Sequence, residues 1–130
     1  MKLCKTVVAI FTVMLLGGCF GSITQEKTNT IDVTQRQVRN GLVYQDNDPN
    51  PYTGEITSFY TNGQKASEEY YVDGKKQGKA IGWHDNGQKK LEASYVDGKE
   101  QGKAITWDEN GQKLLEIDYV DGVIVQQTDP

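Results

Sequence analysis

From Glu55 to Val120 the chain alternates short runs of β-branched, aromatic and charged residues with pairs of turn-forming residues. The runs are rich in Thr, Ile, Val, Tyr and Trp, and apolar and polar positions alternate along them with a period of two, the pattern of a half-buried strand. They predict strands near Glu55–Tyr60, Lys65–Val72, Lys79–His84, Lys89–Val96, Lys103–Asp108 and Lys113–Val120. A preceding hairpin is expected around Asn40-Gly41 with Leu42–Tyr44 as one arm, then a loop over Gln45–Pro51. Val123–Gln126 can add a last short strand.

The punctuation between these runs repeats every 24 residues. Gly54, Gly78 and Gly102 keep that spacing, as do Asn62-Gly63, Asn86-Gly87 and Asn110-Gly111. So do the three Tyr-Val-Asp-Gly segments that begin at Tyr71, Tyr95 and Tyr119. Asn-Gly and Asp-Gly are strong hairpin signals, because glycine takes positive φ without a Cβ penalty. One repeat is therefore two strands and two turns, over residues 54–77, 78–101 and 102–125. The fold class that follows is all-β: a single-layer antiparallel meander.

Period two also assigns faces. One face is expected to collect Thr57, Phe59, Ser67, Glu69 and Tyr71, then Ile81, Trp83, Leu91, Ala93 and Tyr95, then Ile105, Trp107, Leu115, Ile117 and Tyr119. It becomes more apolar along the chain. The opposite face takes Glu68, Glu92 and Glu116, with Tyr60, His84 and Asp108 at strand ends. A three-residue Asp85-Asn86-Gly87 loop, built as a type I turn with a glycine bulge, pairs Ile81 with Leu91 and keeps the aromatic residues together. The ladder Phe59, Trp83 and Trp107 with Tyr71, Tyr95 and Tyr119 is then either the core of a thin sheet or a partner-binding stripe, since aromatic residues are enriched at interfaces.

The first twenty residues follow a different pattern. Lys2 and Lys5 precede an apolar run, Val7–Leu16, which has the length of a signal-peptide core and is too short to span a bilayer. It ends in Leu16-Gly17-Gly18-Cys19, which resembles a bacterial lipobox. That resemblance implies removal of residues 1–18 and acylation of Cys19, hence a membrane contact through acyl chains and a place in the cell envelope. Phe20 in place of Asp then favours the outer membrane of a Gram-negative host. Residues 19–36 read as the lipidated cysteine and a polar tether, and 37–130 as the repeat domain.

Composition narrows the chemistry. The net charge of −4 disfavours a nucleic-acid partner, and loss of Lys2 and Lys5 with the leader takes it to −6. Two cysteines and one histidine cannot build a Cys₄ or Cys₂His₂ zinc site. His84 reads as an exposed turn residue. Glu68, Glu92 and Glu116, with lysines at 65, 89 and 113 and at 79 and 103, read as a solvated charge ladder. The expectation is no enzyme, no cofactor and no metal.

The repeats resemble the variant form of the MORN (membrane occupation and recognition nexus) repeat. The residues that carry the likeness are Pro51-Tyr52-Thr53-Gly54, the Asn-Gly-Gln-Lys turns, and Tyr-x-Asp-Gly-Lys followed by Gly three residues later. Arg39-Asn40-Gly41-Leu42-Val43-Tyr44 resembles the lead-in of such proteins. The resemblance implies an interaction scaffold with a protein or envelope partner. Bacterial members are also labelled antitoxins, so the second expectation is an immunity protein that neutralises a toxin by direct binding. Val123-Ile124-Val125 departs from the Lys-Lys-Gln and Lys-Glu-Gln of the other repeats, as a terminal repeat does when its loop becomes an edge segment.

Overall fold

The computed structural model describes residues 29–129. The expected leader, the Cys19 lipidation site and the first part of the tether lie outside the described residues. The elements in chain order are β1 (Thr30–Asp32), a 3-10 turn (Val33–Gln35), β2 (Arg36–Arg39), β3 (Leu42–Gln45), β4 (Gly54–Phe59), β5 (Lys65–Val72), β6 (Lys75–Trp83), β7 (Lys89–Val96), β8 (Lys99–Glu100), β9 (Gly102–Trp107), β10 (Lys113–Val120) and β11 (Val123–Thr128). They form one open sheet in the order β1-β4-β5-β6-β7-β9-β10-β11, with β8 on β7, and a separate β2–β3 hairpin. All pairings are antiparallel except that of β1 with β4. The all-β meander of two-strand repeats is thus the fold of this chain.

Two turn types alternate along it. At Asp73-Gly74, Asp97-Gly98 and Asp121-Gly122 both residues have positive φ, 48–52° for the aspartates and 78–83° for the glycines. These are two-residue type I′ turns, whose twist matches that of the flanking strands. At the other end of the sheet His84 N–H donates to Gln88 O at 2.8 Å and Gly87 N–H to His84 O at 2.9 Å, with Gly87 at φ 84°. That is the expected three-residue Asp85-Asn86-Gly87 loop, a type I turn closed by a left-handed glycine.

The faces expected from the sequence are not the observed ones. Beyond each Asn-Gly loop the second strand carries one further unpaired residue: Ala66 on β5, Lys90 on β7 and Leu114 on β10. Trp83 pairs with Lys89, but Gly82 already pairs with Leu91, so Ile81 stands opposite Glu92 and not Leu91. A one-residue slip exchanges the two faces of a strand. Thr57, Ile81 and Ile105 consequently share a face with Glu68, Glu92 and Glu116, and Phe59, Trp83 and Trp107 go with them. Tyr71, Tyr95 and Tyr119 lie on the opposite face with Ile56, Ala80, Ala93 and Ile117. The single aromatic ladder is therefore divided between two faces.

The core also sits where the sequence pattern did not place it. The apolar content of the tyrosine face rises toward the C terminus, yet the buried cluster is at the N-terminal end: Ile31, Val43, Tyr52, Ile56 and Tyr71, with Val33 packed against it. A one-layer sheet buries a face only where a second layer covers it, and among the described residues only this end has one. Residues 30–36, expected within the tether, supply part of that cover. Ile31 pairs with Ile56 in β1–β4. Asp32 caps the 3-10 turn, with its carboxylate accepting from Thr34 N–H at 2.8 Å. Val43 N–H then donates to Gly74 O and Tyr52 N–H to Val43 O, which lays β3 against the end of the first repeat.

Gly54 is the tightest point in this packing. Its φ is 149°, and a Cβ there would overlap the Asn29 carbonyl and stand 2.6 Å from the Tyr52 hydroxyl. Gly82, by contrast, would meet Leu91 Cβ at an ordinary 3.5 Å. Gly54→Ala is expected to cost about 1–3 kcal/mol, and Gly82→Ala to stay near neutral. Urea unfolding of both variants checks this, and equal stabilities contradict it.

Candidate functional site

The polar residues that recur every 24 positions fall into two classes once their contacts are traced. The first class joins repeats. Asn62 Nδ2 donates to Asp85 O at 2.9 Å and Asn86 Nδ2 to Glu109 O at 2.8 Å. The Oδ1 atoms of these two asparagines accept from Gln64 and Gln88 N–H within their own turns. Tyr60 OH donates to Trp83 O at 2.7 Å, and His84 Nε2 lies 2.9 Å from Trp107 O. A carbonyl only accepts, so this contact puts a proton on His84 Nε2. His84 is half-buried and bridges to the next repeat, which revises its reading as an exposed turn residue. Along the opposite edge Gly74, Gly98 and Gly122 N–H donate to Tyr52, Lys76 and Glu100 O at 2.8–2.9 Å. Asp73, Asp97 and Asp121 N–H donate to Thr53 Oγ1, Gln77 Oε1 and Gln101 Oε1 at 2.9–3.0 Å.

The lattice stops in the third repeat. Asp108 occupies the place of Tyr60 and His84, but its carboxylate turns back to accept from Asn110 and Gln112 N–H in its own loop. Val125, in the place of Gln77 and Gln101, has no side-chain acceptor to offer.

The second class faces outward. On the glutamate face, Lys65 pairs with Glu68, and Lys89 Nζ reaches Glu92 Oε2 at 2.6 Å. Lys79 adds a second contact to Glu92 at 3.2 Å, and Lys113 and Lys103 both pair with Glu116. Hydrogen bonds from Lys89 and Lys79 hold the Glu92 carboxyl below the usual carboxylate range. The charge ladder expected from the sequence is present, repeat by repeat. The tryptophans are part of it. Lys65 Nζ lies 5.8 Å from the Trp83 ring centroid and Lys89 Nζ 5.4 Å from that of Trp107, within cation–π range. The same lysine thus contacts a carboxylate and an indole. Both tryptophans are half-buried, while Phe59, which starts the series, is 55% exposed.

On the tyrosine face Tyr71 is buried in the core at 3% exposure, whereas Tyr95 and Tyr119 are half-buried. Tyr71 OH donates to Glu69 Oε2 at 2.7 Å. Glu69 Oε1 accepts from Lys76 Nζ at 2.8 Å, with Arg36 Nη1 3.8 Å from Oε2. Burial pushes the Glu69 carboxyl up, but the hydrogen bonds from Lys76 and Tyr71 and the charges of Lys76 and Arg36 outweigh it and hold the group below its usual range. Burial, then the bond to Glu69, raise the Tyr71 phenol. This cluster ties β2 to β5 and β6. No repetition announces it: the counterparts of Glu69 are Ala93 and Ile117, so it exists only where the N-terminal hairpin brings Arg36.

Leu91, Thr106, Trp107 and Leu114, with His84 and Lys90, line a shallow apolar cleft of about 420 Å³ at the Asn-Gly end of the sheet. Among the described residues no three His, Cys, Asp or Glu side chains are grouped to hold a metal ion. The side chains of the two faces can grip a partner by stacking, ion pairing and hydrogen bonding.

The sequence matches the family model described as MORN repeat variant over residues 52–73, 76–97 and 100–121, just over half of the chain. No curated protein and no solved structure matches it.

Two outcomes test the site's construction. Asn86→Ala removes one bond to the next turn and one within its own, and should cost about 1–2 kcal/mol, measured by chemical denaturation. Glu69 has a folded-state pKa below its unfolded value, so its contribution is present above the unfolded pKa and is lost as pH falls through the folded one. Glu69→Gln should therefore be less stable than the parent at pH 7, with the gap closing as pH falls through the carboxylate range. A gap independent of pH would contradict this.

Proposed function

The chain belongs to the MORN repeat variant family, and from that premise we propose that it is a non-enzymatic interaction scaffold held at the cell envelope by acyl chains on Cys19. The observation that carries the scaffold reading is the division of labour among the repeated residues. Asparagine, glutamine, Tyr60, His84 and the turn backbone are engaged in joining repeats, which removes them from chemistry. What repeats toward solvent is Phe59, Trp83 and Trp107 beside paired lysines and glutamates. An aromatic residue with a cation over it offers both stacking area and charge to a partner, and such residues dominate binding energy at interfaces.

The burial of Tyr71 narrows the contact set. Phe59, Trp83 and Trp107 form one candidate contact series on the glutamate face. Tyr95 and Tyr119, which accompany them in the sequence pattern, stand on the other face. The anchoring half of the proposal rests on Leu16-Gly17-Gly18-Cys19 and the apolar run before it. More than one acyl chain gives the stable attachment that a single chain does not.

Cells fed a labelled fatty acid should incorporate label into the wild-type protein and none into Cys19→Ser. Crosslinking in cells followed by purification should recover a protein or glycan partner. Trp83→Ala and Trp107→Ala should weaken that recovery by about tenfold, a loss of at least ~1 kcal/mol, while both variants stay folded. Folded variants that recover every partner unchanged would sink the aromatic-face reading, and unlabelled wild type would sink the anchor.

A further inference from the structure

The tetrapeptide Asn-Gly-Gln-Lys occurs three times at one end of the sheet, at 62–65, 86–89 and 110–113. The three turns are alike in backbone. Gly63, Gly87 and Gly111 have φ of 84°, 84° and 82°, and their N–H groups donate to Tyr60, His84 and Asp108 O at 2.9–3.1 Å. All three asparagines are exposed to water. Local sequence, turn geometry and solvent access therefore do not tell them apart. Asn40-Gly41 is in a turn of another kind, with both residues at positive φ, and is not one of this set.

What differs is the hold on the side-chain carboxamide. Asn62 and Asn86 use both ends of theirs. Nδ2 donates across to Asp85 O or Glu109 O, and Oδ1 accepts from Gln64 or Gln88 N–H. Asn110 uses neither end. The Asp108 carboxylate takes the Gln112 N–H that Asn110 Oδ1 would accept, and the Asn110 side chain has no hydrogen-bond partner among the described residues. The glycines differ as well, but in another order. A Cβ on Gly87 or Gly111 would stand 2.9 Å from the Oε1 of Gln64 or Gln88, whereas Gly63 has open space there.

We propose that Asn110 is a site of spontaneous deamidation, a covalent modification from which the bonds joining the repeats shield Asn62 and Asn86. The chemistry needs only water and hydroxide. Gly111 N gives up its proton to hydroxide and attacks Asn110 Cγ. The N–Cγ bond forms, the Cγ–Nδ2 bond breaks, and the nitrogen leaves as ammonia with a proton taken from water. The product is a five-membered succinimide, which water opens at either carbonyl to aspartate or to isoaspartate. Nothing is oxidised or reduced. A following glycine favours the attack because no Cβ shields its nitrogen. To reach that nitrogen the carboxamide must turn about its side-chain bonds. Asn110 turns without breaking a contact. Asn62 and Asn86 must each give up two hydrogen bonds first, which slows them by about tenfold or more. Either product adds a negative charge to a turn that already holds Asp108 and Glu109, two residues at the rim of the apolar cleft. The modification requires neither the acyl anchor nor the aromatic face, so it stands or falls separately from the scaffold reading.

The test is to incubate the intact chain in mildly alkaline buffer, once folded and once in urea, and to follow each asparagine by digestion and mass spectrometry. In the folded chain Asn110 should convert at least about tenfold faster than Asn62 and Asn86, with isoaspartate as part of the product. In urea, where no bond holds any of the three, they should convert at comparable rates. Equal rates in the folded chain overturn the proposal, as does an Asn110 that keeps its amide. If Asn62 reacts first, space at the glycine governs in place of the hold on the carboxamide, and the proposal fails. It fails too if Asn110 leads in urea by as much as in the folded chain, because the flanking sequence would then set the rate.

Discussion

Turns of successive repeats are hydrogen-bonded to one another as far as the third repeat, and the rest of the architecture depends on those bonds. A single-layer sheet has little interior, so the apolar burial that holds most domains together acts here only at one end. Between repeats the work passes to Asn62 and Asn86 at one edge, and to the glycine amides of 74, 98 and 122 at the other. The bonds run between positions 22 or 23 residues apart, close to one repeat, so each repeat is positioned chiefly by its neighbour. This is the nearest-neighbour logic of repeat proteins. It explains why side chains that look like candidate catalytic groups have structural employment: the histidine bridges to the next repeat in the way that Tyr60 does.

The extra residue after each Asn-Gly loop has the widest consequence. Ala66, Lys90 and Leu114 share nothing chemically, yet each shifts its strand by one place. That shift moves the isoleucines and tryptophans to the glutamate face and leaves the tyrosines on the other. The lysines at 65 and 89 are thereby brought over the indoles while they reach the glutamates. The resulting surface is periodic and two-signed, with rings set among ion pairs. Exposed pairs of this kind add little to stability, so their regularity bears more on what the surface can meet than on what holds the sheet together.

The N-terminal hairpin gives the repeat array a defined end. It covers the tyrosine face over the first repeat, supplies Val43 to the core and brings Arg36 to Glu69. Past that cover the same face stays open among the described residues, which is why Leu91 remains 36% exposed although its position reads as core in the alternation pattern. At the other end Asp108 and Val125 withdraw the groups that would engage another repeat.

The sequence by itself determined the number of repeats, the strands to within a few residues, the places of the turns and the three-residue form of the Asn-Gly loop, because Asn-Gly and Asp-Gly impose backbone signs that do not depend on distant contacts. It also determined the lysine–glutamate ladder, whose members are close along the chain or on adjacent strands. What only the tertiary structure decided was which residues share a face, where the core lies and what His84 touches. A single unpaired residue inverts a face assignment and carries no compositional mark. Burial depends on whether a second layer arrives, and Thr30–Gln35, polar except for Ile31 and Val33, gave no sign of doing so. Periodicity records what repeats, while the core and the Glu69 cluster were built where the chain meets itself only once.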